Sequence, residues 1–349
     1  MILRATQAWW PRMAGVLGLL TVLTAACGGS GGGPQSASKP KIGVIQITLT
    51  HGYQQILNEG YKTQAAKNGV DVAFCINNLN PSQDVRCAED LLSGGATVLI
   101  NAPADPGSWS SVLQVAKAKN VPVVNDGSPE TITPGMVPFT GTDSVLAGKL
   151  DGDFTVKWIK TNLAGKATVA ELTLPTFTDC QNRNKGFHQS LDTLTTAPIV
   201  ASADGKGQRA SALPATENML QGHPDINVVF GCNDDSALGA LSALQGKNKV
   251  AASTLVVGID GTQEAFQEIQ KAGMFRADVA QRPDCYSRRM MDIASQLGKK
   301  EKTVESYNSQ GFYFMKPALV TKDNVDNWLK WKGTPETAPE PCAFSTNHQ

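Results

Sequence analysis

The sequence has no surplus charge of either sign: 31 Lys plus Arg stand against 31 Asp plus Glu over 349 residues. Without a net field there is no electrostatic footprint for a polyanion, so neither nucleic acid nor an anionic membrane surface is an expected partner. Histidine is scarce, with four residues scattered at His51, His188, His223 and His348. No Cys-x-x-Cys pair accompanies them, which argues against a zinc site, and no metal or other cofactor is expected. The Gly-x-Ser-x-Gly match at Gly28 to Gly32 lies in a glycine-rich stretch and not at a strand-to-helix elbow, and a His-Glu-x-x-His helix and a Walker loop are missing, so the motifs do not mark an enzyme.

The apolar run MAGVLGLLTVLTAA, Met13 to Ala26, falls short of the roughly 20 residues a spanning helix needs. Arg4 and Arg12 precede it, Cys27 ends it, and the segment GGSGGGPQSASKP follows. That order describes a signal peptide over 1–26 and a flexible Gly/Ser/Pro-rich tether over 27–40. The residues LTAAC resemble a bacterial lipobox, with Leu23 one position further from Cys27 than is usual. Lipidation of Cys27 is expected, with cleavage after Ala26 by an ordinary signal peptidase as the alternative. Such a chain contacts a membrane by its lipid anchor only, on the outer face of the cytoplasmic membrane, or is periplasmic or secreted if the box is unused. A repressor is disfavoured, because a signal peptide stands where a helix-turn-helix would.

Of seven cysteines, setting Cys27 aside leaves Cys75, Cys87, Cys180, Cys232, Cys285 and Cys342. An even number in an exported chain favours disulfides over metal. Several pairings are arithmetically open. Cys75 ends a strand and Cys87 lies on the next helix; Cys180 and Cys232 both follow strands of a second domain; Cys285 opens a late helix and leaves Cys342. This order favours 75 with 87, 180 with 232, and 285 with 342.

From Lys41 the chain alternates β-branched runs with amphipathic segments. KIGVIQI, VDVAFCI, ATVLINA and VPVVND form one set of strands; KATVAELTL, INVVFGC, TLVVGID and RADVAQ form another. YQQILNEGYKTQAAKNG and SQDVRCAEDLLSGG read as helices between them, the second capped by Ser82 and closed by Gly94. Strand and helix alternating at this rhythm predict an α/β fold of two doubly wound parallel-sheet domains. The rhythm breaks near FTGTDSVLAGKLDGDF, and the helix DCYSRRMMDIASQLGKK is placed to return to the first domain. Beyond Lys332 the Pro-rich tail is expected to be irregular, with Cys342 able to pin it.

These segments together resemble the periplasmic sugar-binding proteins of ABC importers, of the ribose-binding type that shares its core with the lactose-repressor family. The opening KIGVIQITLTHGYQQILNEG, then VPVVND, TGTDSVLAGKLDGDF, RNKGF, HPDINVVFGCNDDSALGAL and VVGIDGT with DVAQRPD carry the likeness in order from Lys41 to about Lys332. The resemblance implies two domains joined by three hinge strands, near Gly141 to Thr142, Gln281 to Arg282 and Asn308 to Gln310. It assigns 41–142 plus 282–309 to an N-terminal lobe, 143–281 plus 310–333 to a C-terminal lobe, and leaves 334–349 as the tail. It also implies a monomer that captures a monosaccharide or polyol and delivers it to the transmembrane subunits of an ABC permease. The alternative is a sensory receptor of the same fold that presents its ligand to a membrane kinase or chemoreceptor.

A sugar needs planar charged or amide groups around its ring edge and an apolar face. The family's hydroxyl-binding positions fall on Arg183, Asn233, Asp260 and Gln281. Each lies at or near the carboxyl end of a β-run, where an open sheet binds ligand. The plainer reading is that Asn233 and Asp260 cap the helices that follow. Asp260 and Arg183 are expected to hold the ligand rather than the fold. In the first domain the family's Ser, Asn and two aromatics become Ile47, His51, Tyr53 and Gln54, with His51 as ligand wall or helix cap. Asp126 keeps the family's Asp, Gly127 stands where an Arg would, and Asn125 is a candidate to compensate. Phe177, and after it Trp109, are candidates for the apolar face or are packing residues. This wall is rebuilt for a solute other than ribose.

Overall fold

In a computed structural model the described residues are 39–126, 136–137, 140–308 and 313–345. The signal peptide, Cys27, nearly all of the tether, Gly127 and the last part of the third expected crossing lie outside them.

The first half runs β1 (Lys41–Gln46), α1 (Gly52–Asn68), β2 (Asp71–Ile76), α2 (Pro81–Ser93), β3 (Val98–Asn101), α3 (Trp109–Ala118), β4 (Val123–Asn125) and β5 (Met136–Val137). Its sheet is wholly parallel, in the order β2-β1-β3-β4-β5. The strand β6 (Thr140–Thr142) then leads into α4 (Ser144–Asn162), β7 (Val169–Thr173), α5 (Thr178–Leu191), β8 (Ile199–Asp204), α6 (Arg209–Gly222), β9 (Val228–Gly231), α7 (Asp234–Gly246), β10 (Leu255–Asp260), α8 (Gln263–Gln270) and β11 (Phe275–Ala280). After α9 (Pro283–Gly298) come β12 (Tyr313–Met315), β13 (Ala318–Thr321) and β14 (Phe344–Ser345). The second sheet has the order β13-β11-β10-β9-β7-β8, parallel except for β13 on β11.

Both sheets are buried on both faces because their strands are continuous apolar runs, as parallel strands under helices must be. In the first, Ile42, Val44 and Ile100 pack against Leu57 and Tyr61 of α1 and Met290 and Ile293 of α9. The opposite face of that sheet buries Ile45 and Leu99 beneath Leu91 and Val112. In the second, α4 and α5 cover one face with Ile159 and Phe187, and α7 and α8 cover the other with Leu241 and Phe266. Thus α9 returns to the first sheet straight after the second sheet's β11. The short strands β6 and β12 pair in parallel between the two halves, and β14 adds to β12. Thr142 Oγ1 donates to the Gln281 carbonyl at 2.8 Å, which ties two of the crossings together.

Two expectations are corrected, one strand is added and one alternative is decided. Asn80, not Ser82, caps α2: its Oδ1 accepts from the Ser82 amide at 3.1 Å, and Pro81 takes the first helical position, where its missing N–H costs nothing. The strand β8 was not anticipated, because IVASAD at the sheet edge is half exposed and has little β-branched content. The tail is not wholly irregular, since β14 pairs with β12 and Arg282 Nη1 donates to the Glu340 carbonyl at 2.6 Å. Trp109 is 3 % exposed among Ile45, Leu91 and Leu99, so it is a core residue. The structure joins Cys75 to Cys87, Cys180 to Cys232 and Cys285 to Cys342.

Candidate functional site

The strand order 2-1-3 recurs in both sheets, and at each reversal the carboxyl ends of adjacent strands leave a crevice. The two crevices face one another and form a cleft of about 820 Å³, partly open to solvent. The first sheet supplies Ile47, His51, Tyr53 and Gln54 after β1, Ala102 and Pro103 after β3, and Asp126 after β4. The second supplies Leu174, Phe177, Asp179 and Arg183 after β7, Asn233 after β9, Asp260 at the end of β10 and Gln281 after β11.

Asp260 is the centre of the second wall. Its Oδ1 accepts from Gln281 Nε2 at 2.7 Å and lies 3.4 Å from Arg183 Nη1. The same Nη1 donates to the Cys232 carbonyl at 2.8 Å, while Arg183 Nε, in a residue that is 4 % exposed, has no partner among the described residues. Burial, with Asp234 and Asp235 nearby, pushes the Asp260 carboxyl well above the usual range, against the pull of Arg183 and Gln281. A ligand hydroxyl in this wall therefore meets acceptor and donor side by side. Asn233 lines the cleft and also caps α7, its Oδ1 accepting from the Ser236 amide at 3.0 Å and its Nδ2 donating to the Gly207 carbonyl at 3.0 Å. Asp260 caps nothing, because Thr262 takes that place for α8.

In the first wall Asp126 accepts from the Tyr61 hydroxyl at 2.7 Å. Burial raises its carboxyl to about 7; the Tyr61 hydrogen bond acts against that shift, and Asp179 across the cleft adds to it. His51 occupies the cap position of α1 by its backbone, yet its side chain makes no cap hydrogen bond. Its Nε2 lies 3.7 Å from Asp235 Oδ2 of the opposite half, and burial lowers its pKa despite that carboxylate. Gln54 is tied to its own domain, where Gln46 Nε2 lies 3.4 Å from its Oε1 and Asn58 Nδ2 donates to Gln46 Oε1 at 2.7 Å. Asn125 does not line the cleft. It is the last residue of β4 and is fully buried.

Among the lining residues that were not anticipated, Asp179, Ser144 and Tyr286 bring polar or aromatic groups. Asp179 precedes Arg183 by one helical turn and accepts from Ser144 Oγ at 2.8 Å, a spacing that could have been read from the sequence. Ser144 itself opens α4 just past the first crossing. Tyr286, from α9, brings its ring to 6.3 Å from that of Tyr53, and the two supply apolar surface together with Phe177. No local signal marks it, because its place depends on the return of the chain. Among the described residues no cluster of three or more His, Cys, Asp or Glu is arranged to hold a metal ion.

Comparison with known proteins adds four findings. The sequence profile of the family described as periplasmic binding protein domain matches residues 42–302. The ribose import binding protein of Bacillus subtilis (strain 168) is 34 % identical over 271 residues, 76 % of this chain and 85 % of that one. The xylitol-binding protein of Mycolicibacterium smegmatis is 28 % identical over 320 residues, 90 % of this chain and 85 % of that one. Among solved structures, an ABC transporter solute binding protein from Mycobacterium smegmatis with bound glycerol superposes with a TM-score of 0.75 at 25 % identity, covering 85 % of this chain and 99 % of that one.

Proposed function

The chain belongs to the periplasmic binding protein family, and from that premise we propose that it is an exported solute-binding protein that captures a monosaccharide or polyol and delivers it to the permease of an ABC importer. The family is one of transport binding proteins, not enzymes. The observation that carries the reading is the cleft, in which Arg183, Asn233, Asp260 and Gln281 on one wall face His51, Tyr53, Gln54 and Asp126 on the other. Paired donors and acceptors with three aromatic rings suit a molecule that is hydroxylated on its edge and apolar on its face. Relatives named for ribose and xylitol support the same chemical class.

The lobes in this reading are 41–142 with 282–309 and 143–281 with 310–333, closing about the crossings when ligand bridges both walls. Membership of β1 to β5 in one sheet, with α9 packed on it, supports the first; membership of β7 to β11 with β13 supports the second. A family of exported proteins agrees with a signal peptide over 1–26. Lipidation of Cys27 would hold the domain at the membrane through the tether, and the domain itself acts as a monomer.

A thermal-shift screen of pentoses, hexoses, inositols and alditols tests the reading. A true ligand at about 100 times its dissociation constant adds about 2.7 kcal/mol. Stabilisation by amino acids or peptides, with none by any sugar or polyol, would refute it.

A further inference from the structure

Two carboxyl groups that the ligand reading leaves unused stand against the turn that presents Asp260. Asp278 Oδ1 accepts from the Gly261 amide at 3.1 Å, and Asp234 Oδ2 accepts from the Thr262 amide at 2.8 Å. These are the two amides that directly follow Asp260. Asp278 is fully buried on β11 and Asp234 is 1 % exposed at the start of α7. Asp278 stands opposite Gly258 in the β10–β11 ladder, and a Cβ on Gly258 would lie 3.0 Å from Asp234 Oδ1, so that glycine leaves room for the second carboxyl. The two carboxyls are close enough to act on each other.

Among the described residues neither carboxyl has an ion-pair partner, and Asp234 Oδ1 and Asp278 Oδ2 have no hydrogen-bond partner. The charged groups that act on the pair are Asp260 from β10, Asp235 from α7 and Asp151 from α4, all acidic. Arg183 of α5 reaches Asp260 instead, Arg209 of α6 and Glu264 of α8 pair with each other at the surface, and β13 sets Val320 opposite Asp278. Two adjacent anions in this position would be uncompensated, and such groups take up a proton. A single proton between them supplies the missing donor and leaves the outer oxygens free to accept from the two amides.

We propose that Asp234 and Asp278 share one proton and act as a positioning pair that fixes the Asp260–Gly261–Thr262 turn. Its value to binding rests on the reading of Asp260 as ligand-facing. The turn has little slack of its own: Gly261 has φ +86°, and a Cβ there would lie 2.8 Å from the Ala280 Cα. With the proton in place the amides are held and Asp260 faces one negative charge; without it, a second anion stands behind Asp260. The Asp278 carboxyl is raised well above its usual range, by burial first and by Asp234 next. The stability it contributes is therefore full below the unfolded carboxyl value and is lost as pH rises through the folded one.

The test needs no ligand. ¹H–¹⁵N spectra of the ligand-free chain follow the Gly261 and Thr262 amides across neutral to alkaline pH, with hydrogen exchange and denaturant unfolding at each point. In the wild type both amides titrate together. Asp278→Asn keeps a carbonyl for Gly261 and replaces the shared proton by an amide hydrogen, so both amides stay protected and their titration disappears. Its stability then falls less steeply with pH, by about one proton. Asp278→Ala speeds exchange of both amides about tenfold or more, the loss of one ordinary hydrogen bond. Wild-type amides that do not titrate, or an Asp278→Asn chain that titrates like the wild type, would overturn the proposal. Should Asp278→Ala not fold, the wild-type and Asp278→Asn titrations decide alone. An Asp260 that touches no ligand would leave these spectra unchanged, so the two readings fail separately.

Discussion

Replacing Asp260 by Ala separates the clamp from the scaffold. The change removes the acceptor of Gln281 Nε2 at 2.7 Å and the ion partner of Arg183 at 3.4 Å. For binding, a ligand hydroxyl or Arg183 is left unmatched in a desolvated wall, at a loss of about 2–5 kcal/mol, or roughly 30-fold to several thousand-fold in affinity. The sequence reading expects ligand-free stability to change far less than binding, and the geometry bounds that change. Breaking a buried pair costs about 3–5 kcal/mol when the survivor is stranded. Here the contact is long, Arg183 keeps the Cys232 carbonyl at 2.8 Å, and removing Asp260 relieves repulsion from Asp234 and Asp235. The loss of ligand-free stability should thus stay near that of one charged hydrogen bond, about 1.5–3 kcal/mol. Calorimetry with the best solute from the screen, beside urea unfolding of the free chain, measures both quantities. Affinity within about twofold of wild type, with more than about 3 kcal/mol of lost stability, would refute the reasoning and make Asp260 a scaffold residue.

A Cβ on Gly148 would meet the Arg183 carbonyl at 1.9 Å, so Gly148→Ala should push α5 off α4, costing about 1–3 kcal/mol of stability and weakening ligand affinity, whereas Gly222→Ala, which meets nothing within 4 Å, should change neither in the same two assays. Asp126 titrates at about 7, and a donating hydroxyl prefers its charged form, so affinity should rise with pH up to that value and level off above it. Ligand-free stability should move the other way, because the folded value lies above the unfolded one. Tyr61→Phe removes the donor that steadies the carboxylate and should shift the calorimetric binding profile to higher pH. Cys285 and Cys342 are 57 residues apart, so Cys342→Ser should cost about 4 kcal/mol in the chain-entropy model, and peptide mapping of the unreduced protein should recover the joined peptides; free thiols there would contradict the pairing.

The alternation of strand and helix was legible because parallel strands under helices must be continuous apolar runs, and KIGVIQ or LVVGID can hardly be anything else. IVASAD escaped because an edge strand needs only half such a run. Within the cleft, Arg183, Asp260 and Gln281 were legible by a local rule, since each stands at or just past the end of a strand or on the helix that follows. That rule does not say which of two neighbours lines the cleft, and of Asn125 and Asp126 it is Asp126 that does so. Tyr286 and Ser144 follow crossings between the domains, and their positions are settled by how the chain returns rather than by neighbouring residues. Trp109 sits beyond a strand end as the rule requires, but the helix it opens turns its ring inward.

Each wall of the cleft is organised inside its own domain. Tyr61 holds Asp126, and Gln46 with Asn58 holds Gln54, all from the first half; Gln281 and Arg183 hold Asp260, and Gly207 with Ser236 holds Asn233, on the second-domain side. The contact that reaches across beside the site, His51 to Asp235 at 3.7 Å, is weakened because burial favours the neutral imidazole. Preformed walls with little direct attraction between them leave the bridging to the solute. In the proposed reading each wall alone offers part of the hydrogen bonding and a molecule that spans both supplies the rest, so affinity and closure would draw on the same contacts. This division also explains how one fold can change its solute. Residues at 47, 51, 53 and 54 can be exchanged on the first wall while the Arg183–Asp260–Gln281 cluster stays supported from behind, because among the described residues no hydrogen bond runs from that cluster to those four positions.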